Sequence, residues 1–412
     1  MAMETRQDTE SPGTKTSGVR VQTPARRTGR RLVRRNPDFP MLFSILVLLV
    51  FGLLMVFSSS SLGGGFLGQE ENIFYYFARQ IRWAGLGLVA FFATMYISLR
   101  LIRKLTLPFA LMAIVFLVMV LFRGTGQETY GASRWLFIGG VGFQPSEIGK
   151  LAAIFLLADR LGRWKEGIRK LFPEFLLAIG ILGTFCALIL LGPDLGTTLV
   201  VGATGGIMLF VAGARIIYLL GLGGLGAAGV WYSITNNAYQ MRRWTAFRDP
   251  MVDPLGDGYQ IIQGLFAIGS GGITGLGLGQ SRQIYWVPEK HTDFIFSILA
   301  EETGFIGAGI VVLMFMLFTW RGLSIARRAP SQYMQMLAAG LTIMISLQAF
   351  VNMAVVTNLM PITGITLPFI SYGGSSLLAT LAASGVILNI SRYGLEPVPE
   401  PAGTTERQSH ET

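Results

Sequence analysis

The sequence is poor in charge, cysteine and histidine, and each shortage excludes a class of activity. Only 14% of its 412 residues are charged, against roughly a quarter in soluble domains, and 51% are apolar, which excludes a soluble globular enzyme. The single cysteine excludes an intrachain disulfide, and the two histidines exclude a metal site built on several imidazoles. No Walker A motif occurs, which argues against direct coupling to ATP.

The apolar residues are concentrated in runs long enough to cross a bilayer as helices. The last two predicted spans come from one uncharged stretch, divided by a segment rich in proline and glycine at 361–374. The sequence therefore predicts an all-α polytopic membrane protein with about ten transmembrane helices. Their approximate limits are 41–60, 83–99, 105–122, 145–161, 175–192, 195–214, 216–233, 303–320, 333–356 and 375–389.

The distribution of positive charge predicts the orientation of these spans. Cytoplasmic termini place 23 of the 33 Lys and Arg residues inside, nine of them in the first 35 residues, which is typical of an inside-facing anchor and not of a nucleic-acid partner. A large loop at about 234–291, between spans 7 and 8, is then extracytoplasmic. The predicted organisation is a disordered basic cytoplasmic tail (1–38), a membrane domain (39–392) and a disordered cytoplasmic tail (393–412).

Charged side chains near a bilayer are costly, so each one in a predicted span or outer loop is a functional candidate, with paired structural ions as the alternative. Glu147 and Lys150 lie three apart at a helix start, where they either neutralise each other or hold a charged head group. Arg134 and Trp135 lie just upstream. Asp194, at an outer turn, is either a candidate of this kind or simply a helix cap.

The predicted outer loop contains the stretch RDPMVDPLGDGYQ, in which Asp249, Asp253 and Asp257 recur every four residues. The interspersed prolines and glycines exclude a regular helix, so the three carboxylates are expected to point in different directions. Asp249 and Asp257 fit turn-forming roles. Asp253 lies between two helix breakers, before a Pro-Leu-Gly turn, and a rigidly held carboxylate is what a general base requires.

The stretch VPEKHTDFIFSILAEETG predicts a helix that begins at about Thr292. On it Asp293, Ser297 and Glu301 would form a polar stripe that descends into the membrane. His291 is the one histidine outside the C-terminal tail, and a structural hydrogen bond is the simplest interpretation of it.

The stretch PITGITLPFISYGGSS at 361–376 predicts irregular backbone at membrane depth. Such backbone is tolerated only where it lines a cavity or is buried in protein, so we expect a polar cavity that opens outward. An enzyme and a lipid transporter both fit this description. A pure scaffold is disfavoured because it leaves the intramembrane charges unexplained.

Five stretches together resemble the RodA/FtsW (SEDS) family of bacterial cell-wall polymerases in order and spacing, over about 41–392. They are RWLFIGGVGFQPSEIGK, GPDLGTT, DPLGDGYQ, PEKHTDFIFSILAEE and ITGITLPFISYGGSS. The resemblance implies a peptidoglycan glycosyltransferase that polymerises lipid II on the outer face of the bacterial cytoplasmic membrane, in cell division or elongation. The implied partners are a class B penicillin-binding protein and other divisome or elongasome membrane proteins. The long basic N-terminal tail, TGITLPFISYGG and YYFARQIRW are similar to FtsW, whereas PEKHTDF resembles RodA as much; we favour FtsW.

The resemblance places the essential aspartate of the family at Asp253, as the base that takes the proton of the acceptor sugar hydroxyl. Arg134, Lys150 or a divalent cation, Mg²⁺ or Mn²⁺, would offset the charge on the diphosphate leaving group. No other cofactor is implied, and a lipid II flippase is the alternative function. The residues expected to bind the substrate are Arg134, Trp135, Glu147, Lys150, Asp194, Tyr259, Gln260, His291, Asp293, Glu301 and Ser371.

Overall fold

The structure is a computed structural model that describes residues 30–61, 74–123, 134–138, 141–164, 168 and 171–397. Contacts divide the chain into two units. One is Leu32–Gly394, which contains every described helix, and the other is made of the two chain ends. The predicted tails lie mostly outside the described residues, so their disorder remains a prediction.

The described residues form twelve α-helices and two short two-stranded sheets, in which β1 pairs with β4 and β2 with β3. The prediction of a helical membrane protein is confirmed, apart from these four strands. In chain order the elements are β1 (Arg30–Arg34), α1 (Phe39–Ser61), α2 (Tyr75–Tyr96), α3 (Leu99–Arg123), β2 (Leu136–Ile138), β3 (Val141–Phe143), α4 (Pro145–Leu161), α5 (Leu176–Leu191), α6 (Leu195–Val211), α7 (Ile216–Asn236), α8 (Ala238–Arg248), α9 (Tyr259–Gly271), α10 (Ile295–Arg328), α11 (Gln332–Val356), α12 (Gly374–Ser391) and β4 (Tyr393–Pro397).

Seven of the described helices are long and apolar enough to cross a membrane, namely α1, α3, α5 with the turn before it, α7, α10, α11 and α12. The protein is therefore a multi-pass membrane protein. The remaining three predicted spans form α2, α4 and α6, which are helical but fall outside that group. A total of ten spans remains a prediction.

Contacts between helix ends fall into two groups, which agree with the predicted sides of the membrane. On the predicted cytoplasmic side, Asp38 before α1 pairs with Arg321 of α10, and its N–H donates to Ser391 Oγ at the end of α12 (3.1 Å). At the other end of the bundle, Ser58 of α1 donates to Glu302 near the start of α10 (2.6 Å). Elements predicted to share a side therefore meet at the same end.

The centre of the bundle is formed by α11 and α12, whose residues are mostly buried, whereas in α7 Ile234 is the one described residue that is buried. Within a bilayer, close helix packing depends on small residues that let two backbones approach. Gly385 of α12 is such a residue, because a Cβ atom there would overlap the carbonyl oxygen of Phe91 and the hydroxyl of Thr94 in α2.

The substitution Gly385→Ala should lower the thermal unfolding midpoint of the detergent-solubilised protein, because α2 and α12 must separate to admit the methyl group. Overpacking of this kind costs about 1–3 kcal/mol. Gly85→Ala in α2 is the matched control, since a Cβ there meets no atom within 4 Å, and we expect its midpoint to stay the same or rise slightly. Equal midpoints for the two variants would contradict the close contact between α2 and α12.

Candidate functional site

The chain between α11 and α12 is irregular, as the sequence predicts, and its backbone is bound by side chains from other elements. The amide of Asn352 donates to the carbonyl oxygen of Ile365 (2.8 Å), and that of Gln348 donates to the carbonyl oxygen of Thr366 (3.0 Å). These bonds replace the ladder hydrogen bonds that a helix or sheet would supply to buried carbonyl groups. The segment 361–373 is therefore fixed although it has no regular structure.

Three charged side chains meet around one residue of this segment, Gly364, whose φ is +74°. A Cβ atom placed there would lie 3.5 Å from Asp293 Oδ2, 3.7 Å from Arg243 Nη1 and 3.8 Å from Arg134 Nη1. The three come from separate parts of the chain: the turn before α10, helix α8 and the chain two residues before the β2–β3 hairpin. The fold thus brings two predicted site residues, Arg134 and Asp293, together with Arg243, which sequence reasoning missed.

The two arginines line a cavity of about 210 Å³. Arg134 donates to the carbonyl oxygen of Pro193, and Arg243 donates to that of Ile362 (3.1 Å) and lies over the ring of Tyr239. No Asp or Glu is among the described residues of its wall. The full lining is Arg134, Pro193, Leu195, Leu199, Val230, Ile234, Tyr239, Gln240, Arg243, Trp244, Met360, Pro361, Ile362 and Thr363.

A larger cavity, of about 560 Å³, lies between α3, α4 and α5. Its walls are almost entirely apolar, and none of the predicted site residues lines it. It is therefore suited to lipid chains and not to charged groups.

Asp293 lies in a turn, because α10 begins at Ile295. The prediction of a helix from about Thr292, with Asp293 as the first member of a polar stripe, is therefore wrong. The carbonyl oxygen of Asp293 accepts a hydrogen bond from Asn352 (2.8 Å) and not from a helical N–H. Burial raises the pKa of Asp293 to about 7, as does the nearby carboxylate of Glu289, while Arg243 and Arg134 act in the opposite direction.

Asp253 is exposed and does not line the cavity. Its carboxylate accepts hydrogen bonds from the backbone N–H groups of Gly256 and Asp257, both at 3.1 Å. Two backbone N–H groups thus orient the carboxylate, and its role as a base remains a prediction. The prediction that Asp249 and Asp257 form turns whereas Asp253 does not is wrong, however. Asp253 caps its turn just as Asp249 does, and Asp257 pairs with Arg242 at 3.5 Å. The reason is the tight turn that follows Asp253, in which the N–H groups of Gly256 and Asp257 point back at its carboxylate.

The predicted pairing of Glu147 with Lys150 is present, at 2.7 Å and fully inside the protein. Lys150 also donates to Gln348 Oε1 of α11 (2.6 Å). Neither residue lines the cavity, so the pair connects α4 to the helix that holds the irregular segment. The nearby Trp135 has 39% of its surface exposed.

Asp194 is the N-cap of α6, as the simpler interpretation predicts, and it accepts a hydrogen bond from the N–H of Thr197 (3.1 Å). Its carboxylate also accepts bonds from Ser146 Oγ (2.9 Å) and Gln144 Nε2 (3.1 Å), which lie at the start of α4. Asp194 therefore fixes the start of α6 against the start of α4, next to the Arg134 contact.

His291 forms the expected structural hydrogen bond, between its Nδ1 and Ser59 Oγ at 2.8 Å, and its ring stacks on Tyr76. Burial lowers the pKa of His291 to about 4, so the ring is neutral at pH 7. Its carbonyl oxygen accepts from the N–H of Tyr372 (2.8 Å), and Ser371 Oγ donates to the neighbouring Thr292 carbonyl oxygen (2.7 Å). These contacts bind the irregular segment to the chain before α10.

Glu301 is buried and accepts hydrogen bonds from Ser281 Oγ and from the N–H groups of Arg282 (3.0 Å) and Gln283 (3.2 Å). It therefore fixes residues 281–283, in the predicted outer loop, to α10. Two further predicted residues, Tyr259 and Gln260, form the first turn of α9 and do not line the cavity. Among the described residues, no three His, Cys, Asp or Glu side chains are placed to hold a metal ion, and the divalent cation remains a prediction.

The elevated pKa of Asp293 predicts a pH-dependent stability. Because the pKa is about 7 in the folded protein and 3.8 for an ordinary Asp, the folded state binds the proton more tightly, and this stabilisation is lost as the pH rises from about 4 to about 7. Asp293→Asn should remove this loss. The unfolding midpoint of the variant, relative to that of the parent, should therefore rise over the same range. Parallel pH profiles would contradict the elevated pKa.

Sequence comparison gives relatives over nearly the whole chain. A family model described as cell cycle protein, FtsW/RodA/SpoVE, matches residues 39–395. Stage V sporulation protein E of Bacillus subtilis is 42% identical over 361 residues, which are 87% of this chain and 98% of the relative. The probable peptidoglycan glycosyltransferase FtsW of a Geobacter species is 40% identical over 355 residues, which are 86% of this chain and 96% of the relative.

Solved structures also match most of this chain. A chain from a peptidoglycan synthase complex, described as coordinating polymerization and crosslinking, matches with a TM-score of 0.71 and 31% identity over 86% of this chain and 98% of that chain. RodA of Thermus thermophilus matches with a TM-score of 0.63 and 28% identity over 86% of this chain and 97% of that chain. With the family model spanning nearly all its helices, this chain belongs to the FtsW/RodA/SpoVE family of cell cycle proteins.

Proposed function

We propose that this protein is a peptidoglycan glycosyltransferase that polymerises lipid II at the outer face of the bacterial cytoplasmic membrane, with both termini in the cytoplasm. The observation that carries the proposal is the match, over 86% of this chain and 96% of the relative, to a probable peptidoglycan glycosyltransferase at 40% identity. The orientation is supported by the Lys and Arg residues of the N-terminal tail and of the loops that this orientation places in the cytoplasm.

Asp253 acts as the general base in this reaction. The acceptor hydroxyl oxygen attacks the anomeric carbon of the donor, and its proton passes to the Asp253 carboxylate. The bond from that carbon to the diphosphate breaks with inversion, and the electron pair leaves on the diphosphate. Because lipid II carries its own leaving group, the reaction needs no nucleotide, in agreement with the absence of a Walker A motif.

The geometry around α8 supports this assignment. The turn that holds Asp253 is joined to α8 by the pair of Arg242 with Asp257 (3.5 Å). The next residue, Arg243, lines the cationic cavity. Helix α8 therefore contacts both the turn that contains the proposed base and the cavity in which charge on a diphosphate can be offset. Arg134 fits that second role better than Lys150, which is buried against Glu147 and Gln348.

The synthase complex among the solved structures supports a partner that crosslinks the glycan, and we assign this part to a class B penicillin-binding protein, within a divisome or elongasome. Similarity to relatives named FtsW supports the division branch. Whether Mg²⁺ or Mn²⁺ takes part is tested by adding either ion or a chelator to the polymerisation reaction.

Asp253→Asn should reduce glycan formation from lipid II by roughly 10² to 10⁴-fold, the usual contribution of general-base catalysis. The measurement is the ladder of glycan products formed in detergent, by the protein alone and with its penicillin-binding partner. Asp249→Asn is the matched control, because Asp249 also caps a turn through its carboxylate, and it should retain activity. Thermal unfolding of both variants checks that the turn still folds.

Full activity of Asp253→Asn would remove Asp253 from the mechanism. Labelled lipid II that crosses a vesicle membrane without forming polymer would instead favour the flippase and contradict the polymerase.

A further inference from the structure

Two arginines are held by one buried carboxylate at the predicted cytoplasmic ends of α3 and α4. Asp159 of α4 is 4% exposed. It accepts a hydrogen bond from Nε of Arg103 (2.7 Å) and pairs with Nη2 of Arg163 (2.9 Å). The centre of the Tyr333 ring, in α11, lies 4.9 Å from the guanidinium carbon of Arg103. Contacts with α4 and α11 therefore fix this guanidinium group.

The two guanidinium groups keep N–H donors that the fold does not use. Among the described residues, Nη1 and Nη2 of Arg103 and Nη1 of Arg163 have no hydrogen-bond partner. Both side chains are partly exposed, by 38% and 55%. Because Asp159 neutralises one of the two positive charges, one remains, which a single phosphodiester would balance. Planar guanidinium groups match the geometry of phosphate oxygens.

A cavity for hydrocarbon lies between the same helices. It is the cavity of about 560 Å³ whose walls are formed by α3, α4, α5 and the turn before α5. Its lining residue on α4, Leu156, lies three residues before Asp159. Its lining residues on α5 extend from Leu176, at the predicted cytoplasmic end, to Phe185. That is about 14 Å along a helix, or about half of the roughly 30 Å hydrocarbon core, which is the depth of one leaflet.

This cavity opens on the surface of the bundle. Its lining residues Phe172, Leu176 and Leu177 are exposed, and a Cβ atom at Gly180 would meet no atom within 4 Å. No Asp or Glu is among the described lining residues, and Glu174, in the turn before α5, is not one of them. An acyl chain can therefore enter from the bilayer without contact with a carboxylate in the wall.

We propose that this site binds one anionic glycerophospholipid of the inner leaflet, phosphatidylglycerol. Arg103 and Arg163 contact its phosphodiester, and the walls of the cavity contact an acyl chain. Basic sites between transmembrane helices on the cytoplasmic side are typical of such head-group binding. The reaction proposed above takes place at the outer face, at the opposite end of these helices, so this lipid is not its substrate. The choice of leaflet rests on the proposed orientation, whereas the binding itself does not.

Binding of dioleoylphosphatidylglycerol to the full-length protein in detergent, measured by native mass spectrometry, tests the charged part of the site. Arg103→Gln should weaken binding by about tenfold, because it removes charge-assisted hydrogen bonds to the phosphate. Arg327→Gln is the matched control. It removes an equal charge from the last turn of α10, which does not line the cavity, and its affinity should stay within about twofold of the parent.

The apolar part of the site has its own pair of variants. Gly180→Leu places a side chain in the cavity and should weaken binding by about tenfold. Gly183→Leu is the matched control: it adds the same side chain to α5, where a Cβ likewise meets no atom within 4 Å, but it does not line the cavity. Both positions are exposed. This pair therefore keeps the test open where Arg103→Gln, which leaves Asp159 with one partner, fails to fold.

The head group is tested on the parent protein. Dioleoylphosphatidylcholine has the same acyl chains and no net charge, and it should bind about tenfold more weakly than dioleoylphosphatidylglycerol. Equal binding of the two lipids would overturn the role of the arginines. Displacement of dioleoylphosphatidylglycerol by an equal concentration of undecaprenyl phosphate would overturn the choice of a glycerophospholipid.

Equal affinity in the parent, Arg103→Gln and Gly180→Leu proteins would overturn the site. Cleavage of either terminus by protease added outside spheroplasts would overturn the inner leaflet and leave the lipid site in place. Lipid binding that depends on Arg103 in a protein that forms no glycan would contradict the proposed function alone. Glycan formation together with lipid binding that is insensitive to Arg103 and Gly180 would contradict this site alone.

Discussion

Irregular backbone inside a membrane protein is stable only when other groups bind its polar atoms, and this constraint organises the whole structure. The segment 361–373 has few backbone partners of its own. Its carbonyl oxygens are bound by Gln80 from α2, Arg243 from α8, and Gln348 and Asn352 from α11. Four side chains from three helices thus donate to one segment. These hydrogen bonds constrain the positions of the three helices relative to one another.

The same bonds place the charged centre. Asn352 donates to the carbonyl oxygens of both Ile365 and Asp293 at 2.8 Å, so one buried amide fixes the irregular segment and the turn before α10 together. Gly364 lies between them with a φ of +74°, a conformation that favours glycine, and Asp293 and two guanidinium groups surround it. Hydrogen bonds to backbone carbonyl oxygens therefore fix the segment that forms the cavity wall, and the charged side chains are positioned around that segment. For a glycosyltransferase this order matters, because donors for a leaving diphosphate must be fixed before the charge develops.

The sequence predicted what depends on hydropathy and local pattern. Each predicted span became a helix, the chain after α11 is irregular, and Glu147 pairs with Lys150 three residues on. What it missed depends on tertiary contacts. Arg243 follows another arginine in the predicted outer loop, and nothing in the sequence pattern distinguishes Arg243, which lines the cavity, from Arg242, which pairs with Asp257. The start of α10 was placed three residues early, because a long-range bond from Asn352 takes the carbonyl oxygen of Asp293.

Several predicted site residues are connectors and not parts of the cavity wall. Asp194 joins α6 to α4, Glu301 joins the segment before α10 to α10 itself, and His291 joins that segment to α1. Sequence alone cannot separate the two roles, since a buried polar residue that fixes a loop and one that binds a substrate are equally exceptional in an apolar chain.

Hydrogen exchange in an Asn352→Ala variant tests the central claim most directly. If Asn352 fixes both the irregular segment and the turn before α10, amide exchange should accelerate in both, including at Tyr372, whose N–H binds the carbonyl oxygen of His291. Gln335→Ala, which removes an amide bound to the Ala329 carbonyl oxygen near the other end of α11, should leave both unchanged. Unchanged exchange in both segments of the Asn352→Ala protein would contradict the account.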